Sequence, residues 1–398
     1  MKKYVLVIAI LFLVLCLLNA GITKGRVLAE TDDGFVTENS TENESTPVEK
    51  FSKGIVVRVI GETKTQDFLN MSDEVITQQL EVKLTHKEYA NQTVMIENLV
   101  HKGSNTMGTY DLKAGDRVVV YLDTDNEGKI VNAHIQDISR EYTLYGLLFF
   151  FALALILLGR RRGLASLVSL TFIGMLIWFW FIPYIKNGGN PLVGAVAVCS
   201  AVTIITIPLV HGFNIKSFAA IIGTVFGVVI AGMAGYASAI FGRIQGIEFE
   251  YMNILSTVPN GITYDFRGIF LAGVLIGSLG AVMDTSISVA SAIQEFYEIH
   301  PDIKPSKLWK TGMNVGRDVM SMMSSTLILA YTGGAIALLL LLNIFMSDPI
   351  KFLNSDLFVS EVIRMLSGSI GLILAVPITI YSAIKLVRRS RRLKSNND

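Results

Sequence analysis

The chain has 398 residues, 51% of them hydrophobic, and a mean hydropathy of +0.51, too apolar for an ordinary soluble protein and typical of a polytopic membrane protein. Its net charge of +1 says nothing about partners, although the distribution of that charge does. The two cysteines, Cys16 and Cys199, both lie in apolar runs, which excludes a disulfide framework and a cysteine-based metal site. The histidines are scattered, and no phosphate-binding loop, paired-histidine zinc motif or nucleophile elbow is present. No enzyme activity, metal or cofactor is therefore expected.

Lys2 and Lys3 precede an apolar run over 4–18, the layout of an export signal or a short signal anchor. Val27-Leu28-Ala29 is a cleavage-type triplet but lies far from that run, so an anchor over 1–29 is favoured. Cys16 lacks the small residue expected before a lipidated cysteine. Residues 30–50 are acidic and rich in Thr, Ser and Asn, a disordered tether. Residues 51–141 change character. Five β-branched, partly alternating stretches, at 54–60, 79–84, 92–96, 117–122 and 130–138, are separated by turn formers such as Lys113-Ala114-Gly115-Asp116. They predict a small β-barrel of OB-like type, with a binding role and a rigid-stalk role both open. No aromatic or basic cluster marks it for nucleic acid.

Seven apolar spans follow, at 142–159, 164–185, 193–210, 218–241, 269–293, 319–345 and 362–386, each near the ~20 residues that a helix needs to cross a bilayer. With the anchor that makes about eight transmembrane helices, seven of them in a membrane domain over 142–388, ahead of a basic tail over 389–398. Arg160-Arg161-Arg162 and the C-terminal Lys385, Arg388, Arg389, Arg391, Arg392 and Lys394 are two basic clusters separated by an even number of crossings, and both should face the cytoplasm. The β-domain is then extracytoplasmic, in a multi-pass protein of the cell membrane. Gly223, Gly227, Ala231, Gly235 and Ala239 recur every fourth residue, as do Gly273, Gly277 and Ala281. Such ridges let two helices approach closely where lipid offers no hydrophobic drive. Pro377 should kink the last span.

The chemistry concentrates between Gly277 and Gly334. A carboxylate inside an apolar span costs at least a few kcal/mol, so Asp284 is a functional candidate by default. Ser288, Ser291 and Glu295 continue its face at i+4, i+7 and i+11. Arg317, Ser321 and Ser324 repeat that spacing on the next helix, with Asp318, Ser325 and Thr332 beside them. Asp284, Ser288, Glu295, Arg317 and Asp318 are the candidate coupling residues. The structural alternative is a buried Asp284 locking helices through Ser, Thr or Arg317, with Arg317 otherwise snorkelling to the interface. Met313, Met320, Met322 and Met323 read as core rather than copper ligands, and His211 as a loop residue. The expectation is an ion-coupled secondary transporter of an unknown small solute or ion; the alternative is a non-transporting scaffold or sensor whose β-domain binds a partner. The bilayer is the expected environment, and a homo-oligomer is open.

GAVMDTSISVASAIQEF, the Asn314–Asp318 run NVGRD, TLILAYTGG from Thr326 and GSIGLILAVPIT from Gly368 together resemble the YibE/F-like family of bacterial integral membrane proteins. The resemblance extends over 51–386. It implies a polytopic membrane protein with an extracytoplasmic N-terminal domain, and no particular activity. The helix–link–helix arrangement around Asp284 is also similar to the proton-using half of resistance-nodulation-division permeases and of protein-export SecF, although seven spans follow the soluble domain here, more than in SecF.

Overall fold

A computed structural model describes residues 48–66, 74–85, 89–102, 110–125, 129–246, 264–346 and 348–395. The expected anchor, nearly all of the tether and the last residues of the basic tail lie outside the described residues. Two compact units divide between Leu153 and Ala154.

In the first unit, β1 (Val48–Gln66), β2 (Glu74–Leu84), β3 (Thr93–Lys102), β4 (Arg117–Thr124) and β5 (Ile130–Ile138) form one antiparallel sheet in the order β3-β2-β1-β4-β5. All five expected strands are present, several of them longer than their β-branched cores. β1 serves two partners, pairing with β4 over 48–55 and with β2 over 54–66. At the overlap stands Gly54, where a Cβ would lie 2.5 Å from Val82 Cγ1 and 3.3 Å from Val120 Cγ2, so any side chain would push on both partners. Irregular register between Val56 and Arg58, and again between Val59 and Gly61, marks where β1 bends. The edge strands β3 and β5 touch, which curls the sheet into a nearly closed barrel. Strand alternation fills its interior with Val56, Leu80, Val82, Leu84, Ile96, Val118, Val120 and Leu122, all buried. The buried amide of Gln78 pins the approach to β4: it accepts from Leu112 N (3.1 Å) and Asn98 Nδ2 (3.1 Å) and donates to Asp111 Oδ1 and Glu62 Oε1, both at 3.0 Å.

The helical elements are α1 (Glu141–Leu176), α2 (Ile182–Lys186), α3 (Pro191–His211), α4 (Ile215–Phe241), α5 (Phe266–Ile299), α6 (Pro305–Gly334), α7 (Ile336–Phe345), α8 (Pro349–Leu353) and α9 (Asp356–Ser395). A π-helical turn, Ile177–Phe181, joins α1 to α2. α1 is interrupted at Arg160 (φ 48°, ψ −124°). A Cβ on Gly163 would fall on the Leu155 carbonyl oxygen, a contact that eight residues of straight helix, ~12 Å long, cannot make. The chain therefore turns back on itself at the triple-arginine stretch. Among the described residues five helices are long and apolar enough to cross a membrane, or six if α6 and α7 count as one bent span. The expected single span over 319–345 is broken by 60° at Ala335. Gly333 and Gly334, weak helix formers in succession, supply the local cause.

The centre of this unit is α4, α5 and α9. A Cβ on Gly223 would collide with the Thr379 hydroxyl, and one on Gly227 would sit 2.7 Å from Ala375 Cβ and 2.9 Å from Val282 Cγ1. Gly371 answers from α9, its Cβ position 2.5 Å from the Gly227 carbonyl and 2.6 Å from Ala231 Cβ. The small-residue ridge of α4 is thus matched by one on α9, so two backbones meet with almost nothing between them. Farther along, Gly235 faces Leu271 of α5 at 3.1 Å and Ser367 of α9 at 3.4 Å. α9 runs on through Pro377 as one helix. α6 leans on the group through Gly312, against Ile293 and Ile380, and Gly316, against Val376. Lys216 N donates to Gln294 Oε1 (3.2 Å), which puts the start of α4 level with the late turns of α5. The Arg160 break, the 212–214 and 300–304 connections and the close of α9 accordingly share one end of the unit.

Candidate functional site

Asp284 stands near the middle of α5, 18 residues from Phe266 and 15 from Ile299. Itself exposed, it borders an open-sided cavity of about 230 Å³ lined by three helices. The second half of α1 contributes Ser166, Ser169, Leu170 and Ile173; α3 contributes Thr206, Ile207, Val210 and His211; α5 adds Met283 and Ile287. The polar wall is internally ordered. Ser169 Oγ donates to Thr206 Oγ1 (2.8 Å), both side chains being buried, and Ser166 Oγ donates to the Arg162 carbonyl (3.0 Å). The Asp284 carboxylate itself makes no hydrogen bond or ion pair among the described residues. A cavity that brings hydroxyls and an imidazole to a mid-helix carboxylate is suited to holding a small cation or moving a proton. The same carboxylate would be costly against hydrocarbon.

His211 is the last residue of α3 and half-buried, with Arg162 and Lys216 close enough to act on it electrostatically. The cavity therefore lies toward the end of the unit where the basic side chains gather. The sequence reads His211 as a loop residue and gives Ser166, Ser169 and Thr206 no prominence. The signal is thin: serines at i and i+3 on one span and a histidine closing another, with nothing in the sequence to bring the two spans to α5.

The other candidate residues fall as follows. Ser288 and Glu295 are exposed on the same face of α5 as Asp284, which also carries Gly273, Gly277 and Gly280. Among the described residues Gly273 has no neighbour within 4 Å of its Cβ position, while Gly277 abuts the Tyr331 hydroxyl of α6. Arg317 and Asp318 are exposed on α6, and Arg317 donates a long hydrogen bond to Asn314 Oδ1 (3.4 Å). No ion pair joins Asp284 to Arg317 among the described residues. Among the described residues the buried hydroxyls of Thr224, Thr285, Ser286, Ser324 and Tyr331 lack hydrogen-bond partners, so the helix interfaces hold unused polar capacity.

A second polar place lies at the opposite end. Glu361, 8% exposed, pairs with Arg364 (3.1 Å), whose guanidinium lies 5.4 Å from the Phe270 ring centroid. With Tyr331 they line a cavity of about 600 Å³ at the α6–α7 break. Glu361 and Arg364 stand at i and i+3 on α9, a spacing at which opposite charges on one helix meet. Among the described residues no group of three or more His, Cys, Asp or Glu side chains is placed to hold a metal ion.

The description "YibE/F family N-terminal domain" matches residues 49–138, the β-barrel unit, and "YibE/F-like protein" matches residues 147–389, the helical unit. No curated protein and no solved structure matches the chain. Two adjoining matches that together cover most of the sequence place it without ambiguity: the chain belongs to the YibE/F-like family.

Proposed function

We propose that the protein is a multi-pass membrane protein that couples ion movement, with Asp284 as the coupling group, to transport of a small solute. The observation that carries this reading is the cavity: hydroxyls and His211 lead from the basic end of the helices to a carboxylate at mid-span, where a purely structural acid would be packed and hydrogen-bonded. The α1 halves, α3, α4, α5, the α6–α7 pair and α9 make seven crossings, and the N-terminal apolar run makes an eighth. The end that bears Arg160, Arg161, Arg162, Lys304, Lys307, Lys310, Lys385, Arg388 and Arg389 faces the cytoplasm. The β-domain is an OB-like barrel on the other side. In this scheme a proton or cation enters past His211, binds Asp284, and leaves after the helices rearrange about the α6–α7 break.

A second reading, a scaffold or sensor, draws on the barrel. Its surface exposes Phe51, Met95, Leu99 and Val131, each more than half accessible, as a partner-binding face would. Proteoliposomes loaded with a pH-sensitive dye and given a proton gradient discriminate the two. Transport predicts proton entry with the wild type and none with Asp284→Asn, while Asp284→Asn and Asp284→Leu both keep the wild-type melting temperature. Equal flux for wild type and Asp284→Asn, or loss of fold in both variants, returns Asp284 to a structural role.

A further inference from the structure

At the basic end of the helices, the first turns of α6 and the late turns of α9 line an open-sided cavity of about 600 Å³, apart from the Asp284 site. Its rim carries Lys385, Arg388 and Arg389, and its walls include Ser306, Trp309 and Tyr381. No acidic side chain lines it, and no ion pair among the described residues engages the three cations. Lys385 Nζ stands 5.9 Å from the Tyr381 ring centroid, and the rings are open to the surroundings, Trp309 38% and Tyr381 61% exposed. Three like charges within five residues of one helix repel each other. An anion that bridges them would relieve that repulsion.

We infer that this cavity binds the phosphoryl headgroup of an anionic phospholipid. The cations take the phosphate, Arg388 and Arg389 being able to grip its oxygens in pairs. Trp309 and Tyr381 sit at headgroup depth, where amphipathic rings are favoured, and with the apolar flank of α9 they cover the glycerol and upper acyl region. Basic pockets between helices on the cytoplasmic side of a membrane are suited to such headgroups. A free phosphate would use the cations and leave the aromatic wall without a role. The inference requires that the helices span a bilayer and is independent of transport through Asp284.

The full chain in zwitterionic detergent, titrated with phosphatidylglycerol or phosphatidylcholine and read by native mass spectrometry, tests it. The wild type should retain phosphatidylglycerol selectively. The triple variant Lys385→Gln/Arg388→Gln/Arg389→Gln should bind it at least about tenfold more weakly, on the order of what several lost lysine or arginine contacts cost. Arg161→Gln/Lys216→Gln/Lys310→Gln removes equal charge from the same end and should bind like the wild type. Trp309→Ala, which keeps every charge, should also weaken retention, and it carries the test if the first triple variant does not fold. Equal retention of the two lipids, equal weakening by the two triple variants, unchanged retention by Trp309→Ala, or displacement of the lipid by millimolar inorganic phosphate would each overturn the headgroup assignment.

Discussion

The Gln78 side chain is 1% exposed, and its amide ties β2 to the backbone of Leu112 and to Asn98, Asp111 and Glu62. Replacing it by leucine keeps the volume, strands the Leu112 N–H without an acceptor and leaves the Asn98 amide only the Tyr110 carbonyl (2.8 Å) to donate to. Unsatisfied buried donors cost about 1–3 kcal/mol each, so Gln78→Leu should lower the stability of the β-unit by about that much or somewhat more. Urea unfolding followed by the fluorescence of a tryptophan introduced into the unit reads the change, and a shift under about 0.5 kcal/mol contradicts this role. The sequence offers Gln78 only as a polar residue at the head of a strand. That Asn98 and the 110–112 segment converge on it depends on tertiary pairing that no local pattern encodes. Asp284 is the opposite case. Its cost in an apolar run makes it legible from the sequence alone, whereas the company it keeps is not: Thr206 and His211 from α3, and Ser166 and Ser169 from α1.

Helix packing here is organised by absent side chains. Gly227 lies under Ala375, Val282 and the Gly371 backbone, so a leucine at 227 has no room without separating α4 from α9. Overpacking of this kind costs about 1–3 kcal/mol where neighbours can move, and the neighbours here, an alanine Cβ, a valine methyl and a backbone carbonyl, are short or fixed. Gly227→Leu should therefore reduce accumulation of folded protein several-fold, whereas Gly273→Leu, at a position open within 4 Å, should accumulate like the wild type. In-gel fluorescence of a C-terminal fusion after detergent extraction compares them; equal accumulation contradicts the packing. Spacing in the sequence reveals the ridge on α4. Its partner is not legible there, because the answering Gly371 and Ala375 on α9 lie about 150 residues away around Pro377, in a span marked for its kink. The bend at Ala335 escapes for a related reason: a hydropathy window averages across Gly333 and Gly334, while the backbone responds to them one residue at a time.

Within the helical unit, most of the basic residues collect at the end formed by the Arg160 break, the 300–304 connection and the close of α9. The proposed topology puts that end inside the cell and the β-unit outside. In a Cys16→Ser/Cys199→Ala background, an impermeant maleimide added to intact cells should label Asp125→Cys and leave Ser306→Cys unlabelled until the membrane is broken. Labelling of Ser306→Cys from outside reverses the orientation. Most of this architecture is legible in the sequence, since period-two stretches make the barrel strands and long apolar runs make the helices. Strand order and helix neighbours are not, being set by closure of the β1 pairing on both sides and by which small residues happen to face each other.

If Asp284 is the coupling group, water and ions reach it through the cavity from the basic end. Asp284→Cys in the same cysteine-free background, probed with a charged methanethiosulfonate on sealed vesicles of each orientation, measures this directly, because only a hydrated thiol ionises and reacts. Reaction is expected when the basic end faces the reagent, little from the opposite side, and strong slowing when Ser169→Trp fills the cavity. A thiol at 284 that reacts from neither side, or at the same rate with the cavity filled, would contradict it.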